Sequence, residues 1–176
     1  MQAIDAAHDV AIDHDIRAFL KSLNSAGGKP LEELSPAEAR DVLTSLQGSV
    51  QLDLPPAKVS EVKIVQDEQH IELTVVHPAG DIKTVPGFMF FHGGGWVLGD
   101  FPTHERLVRD LVSLSGVSAV FVNYTPSPEA KYPIAIHQAF AATKWVSKHG
   151  NEIDIDGSRL AVVGNSVGGN MPQLLH

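Results

Sequence analysis

The chain has 176 residues, 43% of them apolar, which suits one domain with a sizeable core and excludes a disordered tail. Thirteen Lys and Arg against 21 Asp and Glu give a formal charge of −8, and no basic run interrupts that balance, so nucleic acid and anionic lipid are not expected as partners. With no cysteine, neither a disulfide nor a thiolate metal site can form.

No stretch is long enough to span a bilayer. The first twenty residues include Asp5, Asp9, Asp13 and Asp15, and they lack the basic start and continuous apolar core of a signal peptide. A cytoplasmic protein without a membrane partner is the expectation.

In the first segment Ile12, Ile16, Phe19, Leu20 and Leu23 share one helical face, which stops at Gly27-Gly28 and Pro30. Ser35-Pro36-Ala37-Glu38 is a capping-box pattern with proline at the first helical position, and Ala39, Val42, Leu43 and Leu46 form a second apolar face before Gly48. Residues 1–50 thus read as a helical segment ahead of residues 51–176, where strands begin. From Val59 the period falls to two: Val62 and Ile64, then Ile71, Leu73 and Val75, alternate with polar residues around the turn Gln66-Asp67-Glu68-Gln69, as in a half-buried hairpin. Phe88-Met89-Phe90-Phe91 shows no alternation, as expected of a strand covered on both faces.

A helical pattern through Leu107, Leu111 and Leu114 ends at Gly116, and the strand Ala119–Val122 runs into Asn123-Tyr124. A further helix from about Pro133 to Gly150 carries Ile136, Ala139, Phe140 and Val146, and Leu160–Val163 is the last strand. Strands alternating with helices specify an α/β class, a mostly parallel sheet with flanking helices and right-handed crossovers.

Two glycine-rich stretches leave the ends of strands. His92-Gly93-Gly94-Gly95-Trp96 follows Phe91, and Gly164-Asn165-Ser166-Val167-Gly168 follows Val163. The second is a G-x-S-x-G pattern, in which glycines beside the serine permit a strained strand-to-helix turn that pushes Ser166 Oγ outward as a nucleophile. A Gly-rich serine turn can also be a plain loop or a phosphate nest, but neither G-x-G-x-x-G nor G-x-x-x-x-G-K-[ST] occurs, which weakens a nucleotide-binding reading.

Taken in this order, His92–Trp96 and Gly164–Gly169 make the sequence resemble the hormone-sensitive-lipase-like branch of the α/β-hydrolases, the bacterial carboxylesterases with an HGGGW loop and a G-D-S-A-G-G elbow. Asn165 and Val167 depart from the commonest family letters without removing a catalytic atom. The resemblance implies an α/β-hydrolase fold preceded by N-terminal cap helices over the acyl pocket. It implies a serine carboxylesterase acting on short-to-medium acyl esters, with no cofactor or metal. Ser166 would be the catalytic nucleophile, and the backbone N–H groups of Gly94, Gly95 and Val167 the oxyanion hole. His92 and Gly93 would shape the loop rather than act on a proton, and Asp100, Pro128 and Glu129 occupy further loop-shaping positions. Trp96 and Tyr124 fit either the wall of a substrate pocket or core packing, and both readings stay open.

In this fold the triad acid and histidine follow the serine. Only Val167 to His176 follow Ser166, and no acid is among them. The resemblance therefore implies the N-terminal portion of an enzyme, its C-terminal strands absent, inactive alone and with an apolar strand edge that favours self-association or a missing C-terminal half as partner. A non-catalytic small-molecule-binding member of the same fold is the alternative.

Overall fold

The structure is a computed structural model, described over residues 8–25, 27–81 and 83–171. Two compact units divide the chain, Met1–Ser35 and Pro36–His176. In the smaller, helix α1 (His14–Ser25) buries no side chain, and the apolar stripe read from the sequence is exposed at Ile16, Phe19 and Leu23.

The larger unit begins with helix α2 (Pro36–Gly48), with Pro36 as its first residue. A hairpin follows, β1 (Ala57–Gln66) and β2 (Gln69–Pro78), paired antiparallel from Ala57↔Pro78 to Gln66↔Gln69. Its turn residues Asp67 and Glu68 take φ of 49° and 62°, the left-handed pair that suits the twist of a two-residue hairpin. Strand β3 (Val85–Phe91), helix α3 (Phe101–Ser115), strand β4 (Ser118–Asn123), helix α4 (Ile134–His149), strand β5 (Ile155–Gly164) and the short helix α5 (Val167–Asn170) complete the order. Helix α3 starts six residues before the apolar pattern that betrays it. Its start is set by Asp100, whose side chain accepts from the Thr103 amide while the Thr103 hydroxyl caps the Asp100 amide.

The five strands form one mixed sheet in the order β1-β2-β4-β3-β5. β1 with β2 and β2 with β4 are antiparallel, whereas β3 runs parallel to both β4 and β5. The lack of alternation in β3 has its reason, and β4 shares it. Phe88, Phe90, Ala119 and Phe121 pack with Val108 and Val112 of α3 on one face. Met89, Phe91, Val120 and Val122 pack with Ala139, Ala142 and Val146 of α4 on the other. At about 25 cal/mol per Å² of apolar surface removed from water, two such layers supply the main force holding the sheet between its helices.

Two features of this sheet place the site. Phe91 pairs with Gly164 at the carboxyl ends of β3 and β5, so the two glycine-rich stretches leave adjacent parallel strands side by side. Beyond it, β5 forms one of the two edges of the sheet among the described residues, and Val162 on it is 42% exposed. No helix of the described residues is long and apolar enough to cross a membrane.

Candidate functional site

Ser166 sits between the end of β5 and the start of α5 with φ of 53° and ψ of −124°, a conformation costing a non-glycine residue on the order of 1–3 kcal/mol. The sequence predicts such strain from its glycine neighbours. Gly168 is indispensable for a steric reason, since a β-carbon there would collide with the carbonyl oxygen of Phe91. Ser166 is exposed, and among the described residues no group shares a hydrogen bond with its Oγ.

The triple-glycine loop lies against this turn. A β-carbon on Gly93 would stand 3.1 Å from the Ser166 Cβ and 2.8 Å from the Asn165 amide nitrogen, which measures how closely the two segments approach. The contact is also bonded, because the Gly93 N–H donates to Asn165 Oδ1 at 2.9 Å. The Asn165 Nδ2 in turn faces His104 Nε2 at 3.4 Å. In the sequence Asn165 stands out only as a departure from family letters. Its part as a bridge between loop and elbow depends on a partner 72 residues away, which no local pattern reveals.

The loop turns on Gly94, whose carbonyl accepts from the amides of Val97 at 3.1 Å and Leu98 at 2.8 Å. Gly94 has φ of 123°, and a β-carbon there would overlap the Leu98 carbonyl, so glycine is demanded by the loop itself before any substrate arrives. Gly95 has φ of 62° with open space where a β-carbon would go. Among the described residues the amides of Gly94, Gly95 and Val167 donate to no loop or turn carbonyl. Gly94 and Gly95 follow directly on Gly93, which touches the elbow, and Val167 follows Ser166, so amides without a loop or turn partner come from both segments that meet beside the exposed serine.

His92 is 2% exposed and stacks between Tyr124, with ring centroids 4.2 Å apart, and Phe121, 5.3 Å apart. Its Nδ1–H donates to the Gly93 carbonyl at 2.7 Å, and the Tyr124 hydroxyl donates to the His92 carbonyl at 2.8 Å. Burial pulls the imidazole down to about 4, against a smaller rise from the Gly93 carbonyl, so the ring is neutral near pH 7. Tyr124 is itself 3% exposed beneath the loop, and burial raises its phenol. Trp96 instead lines a cavity of about 390 Å³ with Gly95, Thr125, Tyr132, Ala135 and Ile136. The loop-shaping positions are engaged as well: Asp100 caps α3, and Glu129 pairs with Arg40 at 2.7 Å.

The buried histidine makes acid stability a direct readout of this packing. An unfolded histidine gains its proton near 6.5, whereas folded His92 does so near 4, so the unfolded chain holds the extra proton between those values. The stabilisation is complete above pH 6.5 and is lost as pH falls to about 4, amounting to about 3 kcal/mol. His77, lowered first by burial and bonded to Ser118 Oγ at 2.7 Å, adds to the same decline. Urea midpoints measured from pH 7 to 4 are expected to fall through this window, and less steeply in His92→Gln.

The family described as alpha/beta hydrolase fold matches residues 88–175. An α/β hydrolase of Acanthamoeba polyphaga mimivirus is 33% identical over 164 residues, 93% of this chain and 46% of that protein. Carboxylesterase NlhH of Mycobacterium tuberculosis is 33% identical over 131 residues, 71% of this chain and 41% of that protein. A thermostable esterase from Pseudomonas putida superposes with a TM-score of 0.90 at 59% identity, over 93% of this chain and 51% of that one. The chain thus spans about half the length of the relatives it matches. With the HGGGW loop and the G-x-S-x-G-G elbow side by side at the ends of β3 and β5, the chain belongs to the alpha/beta hydrolase fold family, in its hormone-sensitive-lipase-like branch.

Proposed function

We propose that this chain carries the nucleophile and the oxyanion donors of a serine carboxylesterase for small-molecule esters with short-to-medium acyl groups. One observation carries the reading: an exposed serine held at φ of 53° lies directly against a glycine loop with unengaged amides. In the reaction, Ser166 Oγ attacks the ester carbonyl carbon as a base removes its proton, and the carbonyl oxygen takes the negative charge among the amides of Gly94, Gly95 and Val167. Collapse expels the alcohol, which takes a proton, and leaves an acyl-serine. Water then attacks the acyl-serine, releasing the acid and restoring the hydroxyl.

Base and acid follow the serine in chain order in this fold. The histidine after Ser166, His176, lies outside the described residues. The proposal therefore assigns no base to the described residues, and it expects the 176-residue chain alone to turn over slowly. His92 is unsuited to the task, being neutral, buried and bonded to Gly93. The cavity beside Gly95 and Trp96 supports an ester group of modest size. The same reading sets the reaction in the cytoplasm without nucleic acid or membrane, and fractionation of the producing cells tests that placement.

The deciding experiment treats the protein at its full encoded length with a fluorophosphonate probe and with p-nitrophenyl acetate, butyrate and octanoate. Stoichiometric labelling at Ser166, with hydrolysis fastest on the shorter esters, is the expected result. Ester turnover that continues with Ser166 unlabelled removes the serine mechanism. Absence of both labelling and turnover leaves a ligand-binding member of the fold.

A further inference from the structure

The HGGGW loop has a tether that the hydrolytic reading does not use. Arg40, on α2, sends its side chain across to two loops distant in sequence. Its Nε donates to the Val97 carbonyl at 2.7 Å, directly after the triple glycine. One terminal nitrogen donates to the Ser127 carbonyl at 2.9 Å and to Glu129 Oε2 at 2.8 Å, and the other to Glu129 Oε1 at 2.7 Å. The two loops are also joined directly, since the Ser127 amide donates to the Trp96 carbonyl at 2.7 Å.

This pattern is not that of a casual surface pair. Surface ion pairs are worth little because two long side chains must be ordered for one screened contact. Here one planar guanidinium satisfies two backbone carbonyls and a bidentate carboxylate, a fork geometry that lysine cannot reproduce. The Arg40 side chain is 27% exposed, so its bonds are partly shielded from water. Both carbonyls it holds belong to residues that themselves line the cavity beside Gly95.

We propose that Arg40 is a positioning residue: by fixing Val97 and Ser127 from α2, it holds the Gly94 and Gly95 amides at the spot where the ester oxygen develops charge, a role that rests on the esterase reading above. Helix α2 then acts on the chemistry through the loop rather than as a wall around the acyl group. A shift of about 1 Å in groups that must meet a transition state costs on the order of a hundredfold in rate. Because such donors tighten only as charge develops, their displacement lowers kcat and leaves KM nearly unchanged.

The test compares wild type, Arg40→Lys and Glu129→Gln in the protein at its full encoded length. Steady-state hydrolysis of p-nitrophenyl butyrate is measured beside amide hydrogen exchange at Leu98, Ser127 and Ala130. Arg40→Lys is expected to lower kcat by about ten- to a hundredfold with KM within about twofold, and to speed exchange at those three amides while β3 and β4 exchange as before. Glu129→Gln, which keeps both carbonyl contacts, is expected to lose less. A kcat within twofold of wild type, a rise confined to KM, or unchanged exchange at the three amides overturns the proposal. If wild type itself shows no turnover, the esterase reading falls, and the exchange comparison still decides whether Arg40 holds the loop. Should Arg40→Lys not fold, Glu129→Gln decides: lowered kcat with faster exchange at Ser127 and Ala130 supports the proposal, and wild-type kcat or wild-type exchange at those amides overturns it.

Discussion

Ser166→Ala is expected to abolish ester turnover in the full-length protein, by on the order of 10⁴-fold or more, and to remove all labelling by a fluorophosphonate. The argument is chemical: the Ser166 hydroxyl is exposed, has no hydrogen-bond partner among the described residues, and sits at the elbow that touches the glycine loop. Stability tells a second part of the story. With φ of 53° and ψ of −124°, the serine is strained, and alanine at that position keeps its β-carbon and the strain with it. Ser166→Gly removes the β-carbon, so it is expected to be equally inactive yet more stable than Ser166→Ala, by about 1 kcal/mol. Urea denaturation of the two variants checks this, and a glycine variant no more stable than the alanine one would mean that the turn carries no stored strain.

Gly94→Ala is expected to lower kcat by about 10²–10³-fold, the usual cost of losing one oxyanion donor. The added methyl group meets the Leu98 carbonyl, to whose own amide Gly94 already lends its oxygen, so the loop must open to admit it. Opening swings the 94 and 95 amides away together. Gly95→Ala is the internal comparison, because its β-carbon points into open space and φ of 62° costs an alanine only about 1–2 kcal/mol. Kinetics on both variants separate the two effects: a loss in kcat at 94 that exceeds the loss at 95 supports loop geometry as the cause. Equal losses, with KM raised in both, would point to blocked substrate entry instead.

Much of this fold is written locally. The apolar run Phe88–Phe91 and the two-residue alternation from Val62 to Val75 each follow from which faces of a strand are covered, so sequence alone yields the sheet class and the hairpin. The start of α3 is less legible, because its cap pairs Asp100 with a threonine in place of the usual acidic partner, and the apolar pattern begins well inside the helix. The two motifs mark the site because they sit at strand ends, where short-range geometry dictates glycine. What holds them together is long-range and silent in the sequence. Asn165 meets Gly93, and Arg40 meets Val97, Ser127 and Glu129, through contacts that depend on the finished sheet and not on any spacing. Tyr124 likewise looks equally suited to a wall or a core until the stack on His92 places it beneath the loop.

The pairing of Phe91 with Gly164 makes the site a matter of phase. Side chains on a strand alternate by half a turn, so deleting one residue from β5 ahead of Gly164 would carry the apolar set of that strand to the opposite face. Restoring the buried set would then require sliding the pairing, and the elbow would leave the sheet one step, about 3.3 Å, out of line with its neighbour. The bond from Gly93 to Asn165 has no slack to follow such a slip. Insertions in the loops around α3 or α4 leave that alignment intact, so variation in length is tolerated between these two strands and forbidden within them.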